Sequence, residues 1–330
     1  MPIDGTITRR ALLQAAACTA VSTLAVPARA AAAYPSRSVT WVLPYAVGGA
    51  TGRLARPICE RLSSRLGQPF IMENRPGGGG NVGTQSVVDA APDGYTILAT
   101  STANAINVTF DPSLPFDAAH DLIHVAVLAR PPLLLLVSNE LPVKTLAEFL
   151  AYAKANPGKL SVGSAGRHTV QHLSAALFRA MAGVEWTHVH YRGSGPGLVD
   201  LSSGHIHAMF DTVAPSLELL QSGKVRALAV TTREPAEVLP DLPPIWNVLP
   251  GYETSGFYGT AVPRGTPQET VELLNREINL AIADPAIRKE FREVGAIPLA
   301  CSIRDCGGVF AAEIIRWRQL IALSGANKSG

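Results

Sequence analysis

Three groups of residues in this chain have types and spacings that could do chemistry: a glycine run, a serine in a glycine loop, and a set of paired histidines. Gly78-x-Gly80-x-x-Gly83 matches the pattern that cradles a dinucleotide pyrophosphate; it follows a strand-like run and opens a helical one. A dinucleotide site also needs an acidic residue ending the next strand to hold the ribose, and here that strand runs into Ser101-Thr102. The glycines therefore read more generally. They leave backbone N–H groups unshielded at a helix start, where the macrodipole favours an anion. Ser164 lies in Gly163-Ser164-Ala165-Gly166, but a nucleophile elbow wants glycine two positions before the serine, where this chain has Val162. The expectation is a loop that presents the Ser164 hydroxyl and backbone N–H groups to a ligand. Six of the eight histidines form the pairs His168/His172, His188/His190 and His205/His207. An i,i+4 pair shares a helix face and an i,i+2 pair a strand face, which could suit a transition metal. Without an HExxH motif they read as ordinary strand-end and surface histidines, and neither metal nor cofactor is assigned.

The elements that must position these residues alternate. Strands are predicted at Val39–Leu43, Phe70–Glu73 and Tyr95–Ala99, with helices at Arg53–Leu66 (with Pro57 awkward inside it) and Val82–Ala90. Such alternation argues for parallel sheets covered on both faces. It breaks at Ile123–Leu128 and Leu133–Val137, which have no helix between them. It then resumes with helices at Thr145–Ala155, Thr169–Met181, Leu198–Ser203 and Pro215–Ser222, between strands at Leu160–Gly163, Thr187–His190, His207–Phe210 and Val225–Val230. The prolines from Pro235 to Pro250 carry the chain back to a strand at Phe257–Val262. Thr266-Pro267-Gln268-Glu269 reads as a capping box, Asp284-Pro285 as a helix restart, and Gly308–Leu323 as a last amphipathic helix. The break and the return are expected to be crossings between two domains: 34–133 plus 254–330, and 134–253.

Residues 1–30 have the layout of a cleaved export signal: Arg9-Arg10, an Ala/Val/Leu stretch, then Ala28-Arg29-Ala30. They hold three arginines and one aspartate, the whole net charge of +2. The mature chain is therefore close to neutral, with no basic stripe for nucleic acid and no polybasic membrane patch. Cys301 and Cys306 are near enough in sequence to pair, and Cys59 is left over.

With the motifs placed, the chain from Tyr34 to Leu323 resembles the substrate-binding proteins of tripartite tricarboxylate transporters, the Bug family. The resemblance rests on the Pro44–Thr51 loop, Glu73-Asn74-Arg75-Pro76-Gly77, Gly80-Asn81-Val82-Gly83, Ala91-Pro92-Asp93-Gly94-Tyr95, Ser164-Ala165-Gly166, Phe210-Asp211 and Arg226–Thr231. It implies an α/β, two-domain type II periplasmic binding protein fold with a ligand cleft between the domains. It also implies a periplasmic monomer that captures a small carboxylate, di- or tricarboxylate, and docks on the permease subunits of a membrane transporter.

The family-matching cleft positions are Tyr45, Gly48, Gly49, Thr51, Asn81, Ser164, Ala165, Gly166, Thr169, Tyr191, Gly193 and Asp211, to which Ala50, Thr102, Arg167 and Ser194 are added as candidates. Several departures stand out, Pro57, Cys59, His190 and His207 among them, and two bear on the ligand. Where relatives read Pro-Gly-Gly-Gly-Thr-Asp, this chain has Val47-Gly48-Gly49-Ala50-Thr51-Gly52, without the acid; and Arg167 and His168 replace small polar residues in the second loop. Both favour a ligand with a second acidic group and no amine. The competing functions are a sensor for a membrane kinase and a secreted hydrolase or metal-dependent enzyme; the expectation is that the chain is not an enzyme.

Overall fold

The computed structural model describes residues 34–45, 47, 50–111 and 113–324. The export signal assigned to residues 1–30, and Gly48 and Gly49 of the first loop, lie outside the described residues. From Val39 the chain runs β1 (Val39–Leu43), α1 (Ala50–Leu66), β2 (Phe70–Asn74), α2 (Asn81–Val88), β3 (Thr96–Ser101), α3 (Thr102–Phe110), β4 (Leu122–Arg130) and β5 (Leu133–Ser138). It continues as α4 (Leu146–Ala155), β6 (Leu160–Ser164), α5 (Val170–Ala182), β7 (Trp186–His190), α6 (Ser194–Ser202), β8 (Ala208–Thr212), α7 (Val213–Gln221) and β9 (Val225–Val230). The last part is β10 (Tyr258–Pro263), α8 (Gln268–Ala283), α9 (Pro285–Glu293), β11 (Ile297–Pro298) and α10 (Ile303–Ser324).

The strands form two sheets, in the orders β11-β4-β10-β3-β1-β2 and β7-β6-β8-β5-β9. Neither is all parallel, which corrects the expectation drawn from the alternation. β1 runs parallel to β2 and β3, and β6 parallel to β7 and β8. β10 is antiparallel to β3 and β4, and β5 antiparallel to β8 and β9. The short edge strand β11 is antiparallel to β4 as well. The interior reversed strands, β10 and β5, are those that arrive from the other sheet; each enters from the end toward which the parallel strands run and so points away from it.

The two passages between sheets lie side by side and are bonded to each other. Leu133 N donates to Thr231 Oγ1, Thr231 N to Leu133 O, Thr254 N to Thr231 O, and Gly256 N to Pro131 O at 2.8 Å. Gly256 is glycine for want of room: a Cβ there would sit 2.6 Å from Pro131 Cγ. Along β5 every residue is buried, the mark of a strand covered on both faces. α10 adds a second tie. Its Phe310, Trp317 and Ile321 pack with Leu98 and Val127 of the six-stranded side and with Leu173 of α5.

Local signals place most elements. Thr145 and Glu148 form a capping box at α4, and Asp284 caps α9 with Pro285 at the first position. At α8 the expected box is absent. Pro267 takes the cap position, and the Thr266 hydroxyl donates instead to Pro263 O. α1 begins at Ala50 rather than Arg53, so Ala50, Thr51 and Gly52 are its first turn, not loop; it accommodates Pro57 in its interior. α3 has no counterpart in the sequence reading. Cys301 and Cys306 form a disulfide at the start of α10, and Cys59 is free and buried.

Candidate functional site

A cleft of about 1110 Å³ opens between the two sheets, at the ends toward which their parallel strands run. Its walls are built alike. After β1, β2 and β3 the chain turns into α1, α2 and α3; after β6, β7 and β8 it turns into α5, α6 and α7. First-turn or cap residues of all six helices line the cleft: Thr51, Asn81, Thr102, Thr169, Ser194 and Thr212 among them. Not one of the six carries an acid in its first turn, whereas three of the four helices that begin elsewhere, α4, α8 and α10, carry Glu148, Glu269 and Asp305. Six helix N-termini with their partial positive charges thus face one volume, and at α2, α6 and α7 no side-chain cap takes up the first backbone donors. Among the described lining residues the fixed charges are Arg53 and Arg167 against Asp111.

The six-stranded wall is held by side chains. Tyr45 OH and Ser101 Oγ lie 2.5 Å apart, and burial raises the Tyr45 pKa while that contact opposes the rise. Ser101 caps α3 through Ala103 N, and Asn104 Oδ1 completes the box on Ser101 N. Asn107 Nδ2 donates to Asn81 Oδ1 at 2.8 Å, tying α3 to α2. The glycine run ahead of α2 has a backbone reason: Gly77, Gly78, Gly79 and Gly80 all have positive φ.

On the five-stranded wall the loop before α5 carries Gly166 at φ 143° and His168 at φ 58°. Thr169 closes it, donating to Gly166 O and accepting from His172 N. Ala165, Arg167 and Thr169 line the cleft, as do Gly193 and Ser194. Beneath them Asp211 is wholly buried. Its Oδ1 accepts from Ser194 Oγ (2.8 Å), Gln171 Nε2 (3.2 Å) and Thr212 N (2.8 Å), while Oδ2 is buried without a hydrogen-bond partner. Burial pushes its pKa up to about 6 against the pull of those bonds.

Of the expected site residues, Tyr45, Thr51, Asn81, Thr102, Ala165, Arg167, Thr169, Gly193 and Ser194 line the cleft, and Ala50 lies in the first turn of α1. Ser164 and Asp211 are buried behind the lining residues, and the half-buried Gly166 and Tyr191 are not among those residues. The Ser164 hydroxyl contacts His188 Nε2 at 2.8 Å and is fully buried, which corrects its expected role as a donor facing the ligand. Tyr191 OH donates to Asp200. Arg53, Ser101, Asn107, Phe110, Gln171 and Tyr258 line the cleft without having been anticipated. For Ser101 the signal was present in its cap spacing to Asn104. The histidine pairings change too. His168 precedes α5 rather than sharing its face with His172, and His205 and His207 lie ahead of β8, bonded to Asp200 and Ser161 respectively.

The model of the tripartite tricarboxylate transporter family receptor matches residues 54–325. The chain belongs to that family. A protein from Pseudomonas sp. (strain P51), encoded in the tcbD-tcbE intergenic region, is 38% identical over 304 residues, covering 92% of this chain and 90% of that one. Among solved structures, R. palustris Rpa4515 with adipate is 38% identical with a TM-score of 0.82, covering 88% of this chain and 98% of its own. MatC from Rhodopseudomonas palustris with bound malate is 32% identical with a TM-score of 0.78, covering 87% and 100%. The fold of this family receptor is accordingly the two-lobed α/β fold of periplasmic binding proteins, with the cleft between the lobes.

Proposed function

We propose that this receptor captures a small carboxylate, a di- or tricarboxylate, in the periplasm and delivers it to the permease subunits of a tripartite tricarboxylate-type transporter. The observation that carries this reading is the convergence of six acid-free helix N-termini on one cleft. Oriented N–H groups stabilise an anion without a permanent counter-charge, so the ligand is held firmly and still released. The adipate and malate in two similar structures are ligands of that class. The segments 34–133 plus 254–330 act as one domain and 134–253 as the other, with the paired passages at Pro131 and Gly256 as their hinge. Residues 1–30 direct export and are removed, and the mature receptor acts as a monomer. Its role is that of a receptor and not of a serine hydrolase, since the serine that invites a hydrolase reading is sealed beneath the cleft wall.

A thermal-shift screen of mono-, di- and tricarboxylates against sugars and amines tests this. A specific ligand at a hundredfold excess over Kd stabilises by about 2.7 kcal/mol. Mass spectrometry of ligand released from purified protein identifies it. Stabilisation by neutral sugars alone would overturn the reading.

A further inference from the structure

Behind the cleft wall three imidazoles form a closed triangle. His172 in the first turn of α5 faces His188 and His190 on β7, with ring centroids 4.8, 4.7 and 4.6 Å apart. One nitrogen from each ring lies within 4.8 Å of the others. A zinc–nitrogen bond of about 2.0–2.1 Å places the nitrogens of a tetrahedral site roughly 3.4 Å apart, so each ring must move by less than about 1 Å. His172 is buried, His188 and His190 are half-buried, and the His190 Nδ1 atom is buried without a hydrogen-bond partner. From this arrangement we infer a three-histidine site for a divalent transition metal of the zinc, nickel or copper class, distinct from the carboxylate cleft.

The surrounding chemistry fits such an ion. Burial, followed by the mutual repulsion of the rings, holds the His172 pKa down to about 4 and the His188 pKa to about 3. All three imidazoles are neutral at pH 7, as metal ligands must be. His188 directs one nitrogen at the Ser164 hydroxyl, which in turn donates to Gly166 O (3.5 Å). A ring whose Nε2–H is held this way keeps its Nδ1 lone pair for a metal, the usual outer-shell arrangement of a ligating histidine. The Arg167 and Arg179 charges bear on His172 and His188 and oppose a bare cation. They favour an anion as the fourth ligand, since the described residues supply no fourth protein ligand to the group.

One contact must break. His172 Nδ1 accepts the backbone N–H of His168 at 3.2 Å. If the metal takes Nδ1, that lone pair is gone; if it takes Nε2, the proton moves to Nδ1, which then no longer accepts. Either way the ion releases the backbone of His168, a residue of the cleft wall.

The test uses tag-free protein stripped with a chelator and titrated with ZnCl2 and NiCl2 by calorimetry, and with CuCl2 by electron paramagnetic resonance. The expected result is one ion per chain with micromolar or tighter affinity and a copper spectrum showing nitrogen coupling. His172→Gln and His190→Gln should each weaken binding by at least about 100-fold, and Ser164→Ala by roughly 10–100-fold, the cost of losing an outer-shell partner. His120→Gln, at an exposed histidine paired with Asp117, should bind as the wild type does. Circular dichroism confirms that each variant is folded, and His190→Gln at the strand end carries the test if a change at the buried His172 or Ser164 unfolds the chain. Several weak ions that persist in the His172→Gln/His190→Gln double variant, or no saturable binding at millimolar metal, would overturn the site.

Discussion

The His168 imidazole lies flat on the Phe110 ring across the mouth of the cleft, with centroids 4.0 Å apart and planes 14° from parallel. Phe110 ends α3 on the six-stranded wall, and His168 belongs to the loop before α5 on the other. Burial, then the Arg167 charge, lowers the His168 pKa, so the stack is between neutral rings. An aromatic pair is worth about 0.5–1.5 kcal/mol beyond its buried area. Phe110→Ala is therefore expected to speed ligand release by roughly 2- to 12-fold with little change in the unfolding midpoint. Stopped-flow dissociation is the measurement, and an unchanged rate would show that the stack does not help to hold the cleft closed.

Arg167 lines the cleft opposite the start of α1, where the chain lacks an acid. For a dicarboxylate, Arg167→Ala should cost about 1.5–3 kcal/mol of binding, the range for a hydrogen bond to a charged group. Monocarboxylate affinity should barely move. Calorimetry on both ligand classes decides it; equal losses, or tight binding of an amino acid to the wild type, would remove the basis for a second acidic group.

Asp211 should give stability an unusual slope. Its folded pKa of about 6 lies above its ordinary value of 3.8, so the folded state binds the proton more tightly. Stability contributed by this group is present below about pH 4 and is lost as pH rises to about 6, by on the order of 3 kcal/mol. Denaturant melts of Asp211→Asn and wild type across that window should diverge in that sense. Parallel curves would mean that Asp211 stays charged when folded.

His124 works in the opposite direction. It is buried, stacked on Phe310 at 3.7 Å between centroids, with Nε2 against Ala118 O. Burial lowers its pKa to about 4, so stability is full above about pH 6.5 and falls as pH drops toward 4, by roughly 3 kcal/mol. His124→Phe keeps a ring on Phe310 and loses one hydrogen bond. Its unfolding free energy should change less between pH 8 and pH 5 than that of the wild type.

Strand and helix alternation was legible because β-branched and apolar runs stand between glycine loops, and Val39–Leu43 and Val225–Val230 were placed to the residue. Strand direction was not, because pairing depends on where a strand enters its sheet, as at β5 and β10. α3 was hidden by composition: Thr102, Asn104, Asn107 and Thr109 are weak helix formers, and the helix depends on its Ser101 cap and on burial of Ala105 and Ile106. Gly83 was read within a cofactor motif, whereas its reason is crowding: a Cβ would fall 2.7 Å from Pro44 Cβ and 2.8 Å from the Arg75 carbonyl oxygen. At the cleft, loop residues at strand ends could be found from the chain. The burial of Ser164 and the arrival of Phe110 depend on distant packing.

The strand orders also set a sequence of events as the chain emerges. β5 to β9 lie within Leu133–Val230, so the five-stranded sheet can pair from one uninterrupted stretch. The six-stranded sheet has β10 wedged between β3 and β4, and that strand begins only at Tyr258. Until it arrives, β4 lacks its neighbour and the edge of β3 stays open, a template for mispairing. The later half of the chain must therefore be available before the earlier half can finish folding. A truncation ending before Tyr258 is expected to protect the amides of β6 and β8 from hydrogen exchange while leaving those of β4 unprotected.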